Sequence, residues 1–337
     1  MVALSRDPAI RAEGPDPLVW VLHDGKAGMA SQALGLAEAI GFPFIEKLLS
    51  VRAPWRWLPP SAWVAPLRAI GGSGLPLTPP WPDLVIGCGR NAAMPGLAIK
   101  RASGGRTVAA QLQDPRVARD EFDMLFVPEH DRWRGERTFI TRTALHRVTP
   151  ARLAAERRRF PALEALPRPI LAVLIGGSNR SYRLTGARLA EAADEVADAV
   201  RASSGSFLVT PSRRTGPDAL AVLQQRLGGV PGEIWDGEGE NPYYAYLAIA
   251  DAVLVTADSV SMVSEAAATG KPVHVLGLEG GGGKFARFHA AMREAGITRP
   301  FTGRVEHWTY PIPDDTARAG AMLRSIVLDR IAARRAA

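Results

Sequence analysis

The sequence predicts an α/β protein built from two doubly wound halves that face each other across a cleft. Short apolar runs of strand length alternate with amphipathic stretches of helix length. The alternation breaks once, in a charged and proline-rich stretch at 149–169, and then resumes in the same style. Strands joined by helix-length crossovers pair in parallel, and parallel sheets are covered by helices on both faces. Both halves therefore read as Rossmann-like.

In the first half, LVWVL (18–22) precedes the helical GMASQALGLAEAIG, and FPFIEKLL follows. DLVIGCG (83–89) leads into NAAMPGLAIKRA, then TVAAQLQ (107–113) and DMLFVP (123–128). TPARLAAERRRFPALEALPRP reads as a hinge. The second half opens with ILAVLIGGS (170–178), a helix over 184–202 and FLVTPS (207–212). AVLVT (252–256) and VHVLGL (273–278) complete it. The domains are set at 1–160 and 161–313, with a terminal helix over 314–337 whose docking the sequence does not identify.

A chain of 337 residues, 47% hydrophobic and 22% charged, accommodates two such domains and their cores. MVALSRDPAIRAEG carries Arg6, Asp7, Arg11 and Glu13 and no apolar core, so no signal peptide is expected. No run approaches the roughly 18–20 apolar residues of a membrane span. One cysteine, Cys88, excludes an intrachain disulfide framework, and a cytoplasmic location is expected. Net charge is +7, which favours anionic company. The arginines are scattered and no nucleic-acid-binding motif is present, so nucleic acid ranks last.

Ligands of open parallel sheets sit outside the carboxyl ends of the strands, beside helix N-termini. Four such ends are polar or glycine-rich. LIGGSNRSYRLT supplies Gly176, Gly177, Ser178, Asn179 and Arg180, and LVTPSRRTG supplies Thr210, Ser212, Arg213 and Arg214. VTADSVSMVSE carries Asp258, Ser259, Ser261, Met262 and Glu265, and LHDGKAGMASQ carries Asp24, Lys26 and Gln32. Glycines admit an anion to backbone N–H groups, a helix end adds partial positive charge, and arginines neutralise a diphosphate. Ser259 and Ser261 either donate to phosphate or simply cap their helix. Glu265, one turn further in, is placed to accept from ribose hydroxyls; an ordinary helix glutamate is the alternative.

Other patterns fail. GKAGMAS is not a full dinucleotide fingerprint, and GGGGK (280–284) is not a P-loop but a loop able to close on a ligand. No D-x-D pair offers a carboxylate clamp for a divalent ion, and His130 in PEHD is a weak metal candidate, so no metal is expected. The stretch 51–70 sets Trp55, Trp57 and Trp63 among Arg52, Arg56 and Arg68. It suits either an anionic membrane surface or packing against the first sheet.

DGKAG with Gln32, LQDPR (112–116), PEHD, IGGSN, TPSRRT and TADSVSMVSEAAATGKPV together resemble the mitochondrial-fission and lipooligosaccharide outer-core glycosyltransferase family. That family includes a plant protein that recruits a dynamin-related protein to mitochondria. The resemblance runs from about residue 18 to 303. It departs at Met29, where a histidine is expected after KAG. More distantly, the layout is similar to metal-independent GT-B glycosyltransferases. The resemblance implies a GT-B-like fold and sugar transfer from a nucleoside-diphosphate sugar to a glycolipid or saccharide acceptor, without a cofactor. It assigns the donor to the glycine loop, Ser259, Ser261 and Glu265, with Trp235 a candidate for stacking on the base. It turns Asp24, Lys26, Gln32, Asp114 and His130 toward the acceptor, with Asp24 as general base and Asp114 and His130 in reserve. A GT-B-fold epimerase and a non-catalytic adaptor remain as alternatives, and the inner face of an anionic membrane is an expected partner surface.

Overall fold

The computed structural model describes residues 16–71, 76–216 and 218–336. The stretch read above for a signal peptide, with Arg6, Asp7, Arg11 and Glu13, lies outside the described residues.

The first half runs β1 (Val19–His23), α1 (Ala27–Ile40), β2 (Phe44–Leu48), β3 (Leu84–Cys88), α2 (Arg90–Ala102), β4 (Val108–Leu112), β5 (Met124–Pro128) and β6 (Thr138–Thr141). These strands form one six-stranded parallel sheet, ordered β2-β1-β3-β4-β5-β6. Helix α3 (Pro150–Arg159) leads to β7 (Ile170–Ile175), α4 (Gly186–Ser203), β8 (Ser206–Pro211), α5 (Ala219–Leu227) and β9 (Gly232–Ile234). Then come α6 (Tyr243–Ile249), β10 (Ala252–Thr256), α7 (Val260–Ala267), β11 (Val273–Leu276), α8 (Gly283–Glu294) and β12 (Thr298–Pro300). The second sheet is also six-stranded and parallel, ordered β9-β8-β7-β10-β11-β12. In each sheet the chain reverses its direction of travel beside the first strand, between β1 and β3 and between β7 and β10. These two switch points are where the fold leaves room for a ligand.

Strands β1, β3, β4, β7 and β10 are buried along their whole length, which is why they read as apolar runs, interrupted only at His23, Gln111 and Thr256. The three strands the sequence reading missed, β6, β9 and β12, are all sheet edges of mixed polarity. Among the described residues, no helix is long and apolar enough to cross a membrane.

Packing moves the domain boundary. Val148 and Leu163 belong to the core of the second half, and Leu153, Phe160 and Leu166 pack against it. Helix α3 lies on α6, so the crossover falls before α3 and not at residue 160. The apolar residues of the supposed hinge find a partner there, and the hinge folds as part of the second domain. The last helix, α9 (Asp315–Ala336), returns to the first domain, where Ala319, Leu323 and Val327 enter the core beneath β1 and β3. A Cβ at Gly320 would stand 2.6 Å from that of Ala39, so glycine is what lets α9 and α1 cross closely. Arg330 and Arg334 pair with Asp123 and Asp83 at 2.9 and 2.5 Å.

In the Trp-Arg segment, Trp63 is 4% exposed and donates its Nε1 hydrogen to the Trp55 carbonyl at 3.1 Å. Trp57 is 69% exposed and Val64 98%. One tryptophan of the three is core and one is open.

Asp315 ties the two crossings together. Its buried Oδ2 accepts from the Arg142 and Thr143 amides at 3.1 and 2.9 Å and from the Thr143 hydroxyl at 2.8 Å. Replacing it leaves three donors without an acceptor. Asp315→Ala is expected to lower the unfolding free energy by about 2–4 kcal/mol in urea denaturation. A loss under about 1 kcal/mol would mean that this carboxylate does not hold the crossover.

Candidate functional site

At the switch point of the second sheet, the loops after β7 and β10 are knitted together. The Gly176 amide donates to Thr256 Oγ1 at 2.8 Å, and the Gly177 amide to Asp258 Oδ2 at 3.0 Å. Arg214 Nη2 donates to the same Asp258 oxygen at 2.7 Å, and Thr256 Oγ1 to the other at 2.7 Å. A Cβ at Gly176 would stand 2.2 Å from Asp258 Oδ1, so this glycine admits a carboxylate of the protein itself. Asp258 therefore shapes the cradle from inside and is not placed to contact a ligand. The Gly177 amide, expected to face an anion, is spent on it. Asn179 Nδ2 donates to the Asp258 carbonyl at 3.2 Å, and Ser178 closes the turn onto Leu184 at 3.0 Å. Arg180 and Arg213 are exposed, Thr210 is buried in β8, and Ser212 bonds Thr215 at 3.1 Å.

Helix α7 begins with Ser259 as its cap, accepting from the Met262 amide at 3.3 Å. One face of α7 then lies against α1 of the first domain. A Cβ at Gly28 would approach Ser261 Oγ to 2.8 Å. Four residues on, Glu265 is 6% exposed, and its two oxygens accept from Ser31 Oγ at 2.5 Å and the Tyr243 hydroxyl at 2.6 Å. Positions 28 and 31 on one helix face 261 and 265 on the other, the spacing that puts side chains in one stripe. Ser264 Oγ accepts from the Ala144 amide at 2.9 Å, so the crossover also leans on α7. Burial pushes the Glu265 carboxyl above its ordinary range, against the hydrogen bonds of Ser31 and Tyr243. The same burial, with Glu265 beside it, raises Tyr243 well above 10.

The loop after β1 faces this seam. Gly25 has φ +76°, and its carbonyl accepts from Arg213 Nη2 at 3.5 Å across the domains. Asp24 pairs with the exposed Lys26. His23 holds the loop from below: its Nδ1 accepts from the Gly25 amide at 3.1 Å, so Nε2 carries the hydrogen and donates to Glu46 at 2.8 Å. Met29 stands between the two first-domain switch loops, its sulfur 3.6 Å from Cys88 Sγ and 3.3 Å from Gln113 Nε2. Gln113 also donates to Gln32 Oε1 at 3.2 Å. Burial, with Asp24 nearby, pushes the Cys88 thiol far up, so it is a packing group.

The two reserve candidates, Asp114 and His130, are both engaged by neighbouring groups. Arg119 grips Asp114 with two bonds of 2.7 and 2.9 Å; burial raises that carboxyl, but Arg119 and the Arg116 amide outweigh it and hold it below its usual range. His130 is buried against Phe288 of α8, its pKa lowered by burial to about 4, and Arg287 donates to its carbonyl at 2.7 Å. Trp235 turns its Nε1 hydrogen to the Glu238 carbonyl at 2.9 Å. The structure adds Ser31, Tyr243 and His23, and gives Arg214 of the loop after β8 the role of holding Asp258.

This architecture has relatives among solved structures. UDP-GlcNAc 2-epimerase from Methanocaldococcus jannaschii superposes with a TM-score of 0.52 at 10% identity, covering 92% of this chain and 99% of that one. The UDP-N-acetylglucosamine 2-epimerase of Rickettsia bellii gives 0.50 at 11%, covering 94% and 97%. At that identity the likeness concerns the fold, which is GT-B-like. By sequence, the chain is 36% identical over 271 residues to the Mitochondrial fission protein ELM1 of Arabidopsis thaliana, covering 72% of this chain and 63% of the relative. The chain thus spans less than two thirds of that relative's length. Uncharacterized protein RP120 of Rickettsia prowazekii (strain Madrid E) is 23% identical over 306 residues, covering 77% of this chain and 82% of that protein. A model of the Mitochondrial fission ELM1 family matches residues 27–326, and this chain belongs to that family.

Proposed function

We propose that the protein is a GT-B glycosyltransferase that moves a sugar from a nucleoside diphosphate to an acceptor hydroxyl without a metal. One observation carries this reading. Two hydroxyls, from Ser31 and Tyr243, sit on the two oxygens of one buried carboxylate, Glu265, beside a helix N-terminus at a switch point. A ribose presents two adjacent hydroxyls of the same kind. The seam between α1 and α7 is then the closed form of the cradle, and a nucleotide enters as Ser31 withdraws. The N-terminus of α7, with Arg180 and Arg213, stabilises the departing diphosphate. Asp24 takes the proton of the acceptor hydroxyl as the oxygen attacks the anomeric carbon and the bond to the diphosphate breaks. Met29, where the resemblance expects a histidine, leaves Asp24 as the base.

The acceptor we assign is a membrane-borne glycolipid of the cell envelope. Trp57 and Val64 are open to solvent, and the Arg56 guanidinium lies 4.6 Å from the Trp57 ring centroid. Arg90, which opens α2 at the first switch point, donates to the Leu58 carbonyl at 3.3 Å. The patch therefore borders the acceptor side of the cleft. A second reading follows from the closed seam together with the Arabidopsis relative's name: an adaptor that keeps the fold with the cradle shut.

Calorimetry with UDP, GDP and CDP separates the two. At least one is expected to bind; Glu265→Gln should weaken it roughly 10- to 100-fold, the worth of hydrogen bonds to a charged acceptor. Ser31→Ala should strengthen it by up to about tenfold by unlatching the seam, and Asp24→Asn should leave it nearly unchanged. No binding, or indifference to Glu265→Gln, favours the adaptor. Vesicles of anionic phospholipid should sediment the protein at low salt, and Trp57→Ala with Val64→Ser should release it. Sedimentation that ignores those changes would displace the membrane surface from this patch.

A further inference from the structure

We propose that His130 is an acid-sensitive peg between the two domains, and that the cleft opens when its imidazole takes up a proton. PEHD, which the nucleotide reading leaves unused, forms the turn Glu129–Asp131 after β5. This turn lies on α8 of the second domain, apart from the seam between α1 and α7. The His130 ring meets Phe288 edge-on, with centroids 5.5 Å apart, and Phe288 is part of the second domain's core. His130 is itself buried. A side chain of one domain packed on the core of the other returns to water when the two part. The peg works the same way whatever the cleft binds.

The closed contact suits only the neutral ring. His130 Nδ1 is buried without a partner among the described residues. A neutral ring can leave that nitrogen as a bare acceptor, whereas the cation must put a hydrogen there with nothing to receive it. The charges around the ring work in the same direction. Asp131 on its own turn favours the cation, but Lys284, Arg287 and His289, all on α8, oppose it. Asp131 is shared with Lys284, whose Nζ lies 3.9 Å from its Oδ1, and Glu129 and Arg132 are exposed. Arg287 grips the His130 carbonyl with two bonds of 3.0 and 2.7 Å, which fixes that cation beside the ring. Burial first, and then these cations, hold the His130 pKa at about 4, against about 6.5 for a free imidazole.

In the open form the imidazole meets water and titrates at its ordinary value. The closed form therefore holds fully above about pH 6.5, loses ground as pH falls through that value, and loses no more below about pH 4. Between pH 7.5 and 5.0 the ratio of open to closed rises about thirtyfold. Glu265 acts in the other direction. Burial pushes its carboxyl up in the closed seam, so acid favours closure there, and an opening in acid is not its work. His146, in the chain crossing, is lowered by burial to about 4 against the pull of Asp315, and a variant has to separate it from His130.

Small-angle X-ray scattering of the full chain without ligand, at pH 7.5 and 5.0 and constant salt, tests this. The wild type should be compact at pH 7.5, gain radius of gyration at pH 5.0, and recover when the pH is returned. Circular dichroism at pH 5.0 should show the helices and strands intact. His130→Phe keeps an aromatic ring against Phe288 and takes up no proton, so it should match the wild type at pH 7.5 and stay compact at pH 5.0. His130→Gln, smaller and also without a titrating ring, should have the same radius at both values. A wild type that does not expand, or that expands by unfolding, overturns the proposal. Acid expansion retained in both variants also overturns it and moves the switch to His146.

Discussion

The Glu265 carboxylate is the constraint around which the two domains are arranged. It is buried between them, and a buried carboxylate is tolerated only while its oxygens are hydrogen-bonded. Ser31 comes from the first domain and Tyr243 from Glu265's own domain, so parting the two helices costs Glu265 the Ser31 donor, which another hydroxyl must replace. The small residues around it follow from the same need. Gly28 opposite Ser261 lets the helices approach, and without that approach the Ser31 hydroxyl would not reach. In the proposed function a nucleoside's sugar takes the place of Ser31, and the seam acts as a gate.

Two crossings of the chain limit how that gate opens. The first, at 142–148, is held by Asp315 from the last helix and by Ser264 of α7. The second returns the chain to the first domain, where α9 completes the core beneath α1. With the last helix docked on it, the first domain draws its core from both the early strands and the final helix, while the second domain lies between them in sequence. Closure between such domains turns on a few loop residues, and here Asp315 binds those residues into one unit.

The central strands were legible because burial on both faces leaves mostly apolar residues, and AVLVT matches β10 residue for residue. The edges were not, since β6, β9 and β12 carry mixed residues that resemble loops. The hinge reading of 149–169 failed for a related reason: a charged helix with few apolar residues looks like a linker until α6 is placed beneath it. In the cleft, sequence pointed to the correct loops but misjudged what their groups do. Asp258 and Gly177 satisfy each other, and Ser259 is a cap. Glycine, serine and aspartate in one stretch signal either a waiting anion site or a tight internal knot. Only the partner, some eighty residues away, tells which; Tyr243 carries no local signature at all.

Crystals grown with UDP, GDP and CDP test the central claim most directly. The account expects a diphosphate at the N-terminus of α7, a ribose with two hydroxyls within hydrogen-bonding distance of Glu265, and Ser31 withdrawn from it. Saturated crystals in which Ser31 still holds Glu265 and no nucleotide lies against α7 would contradict it.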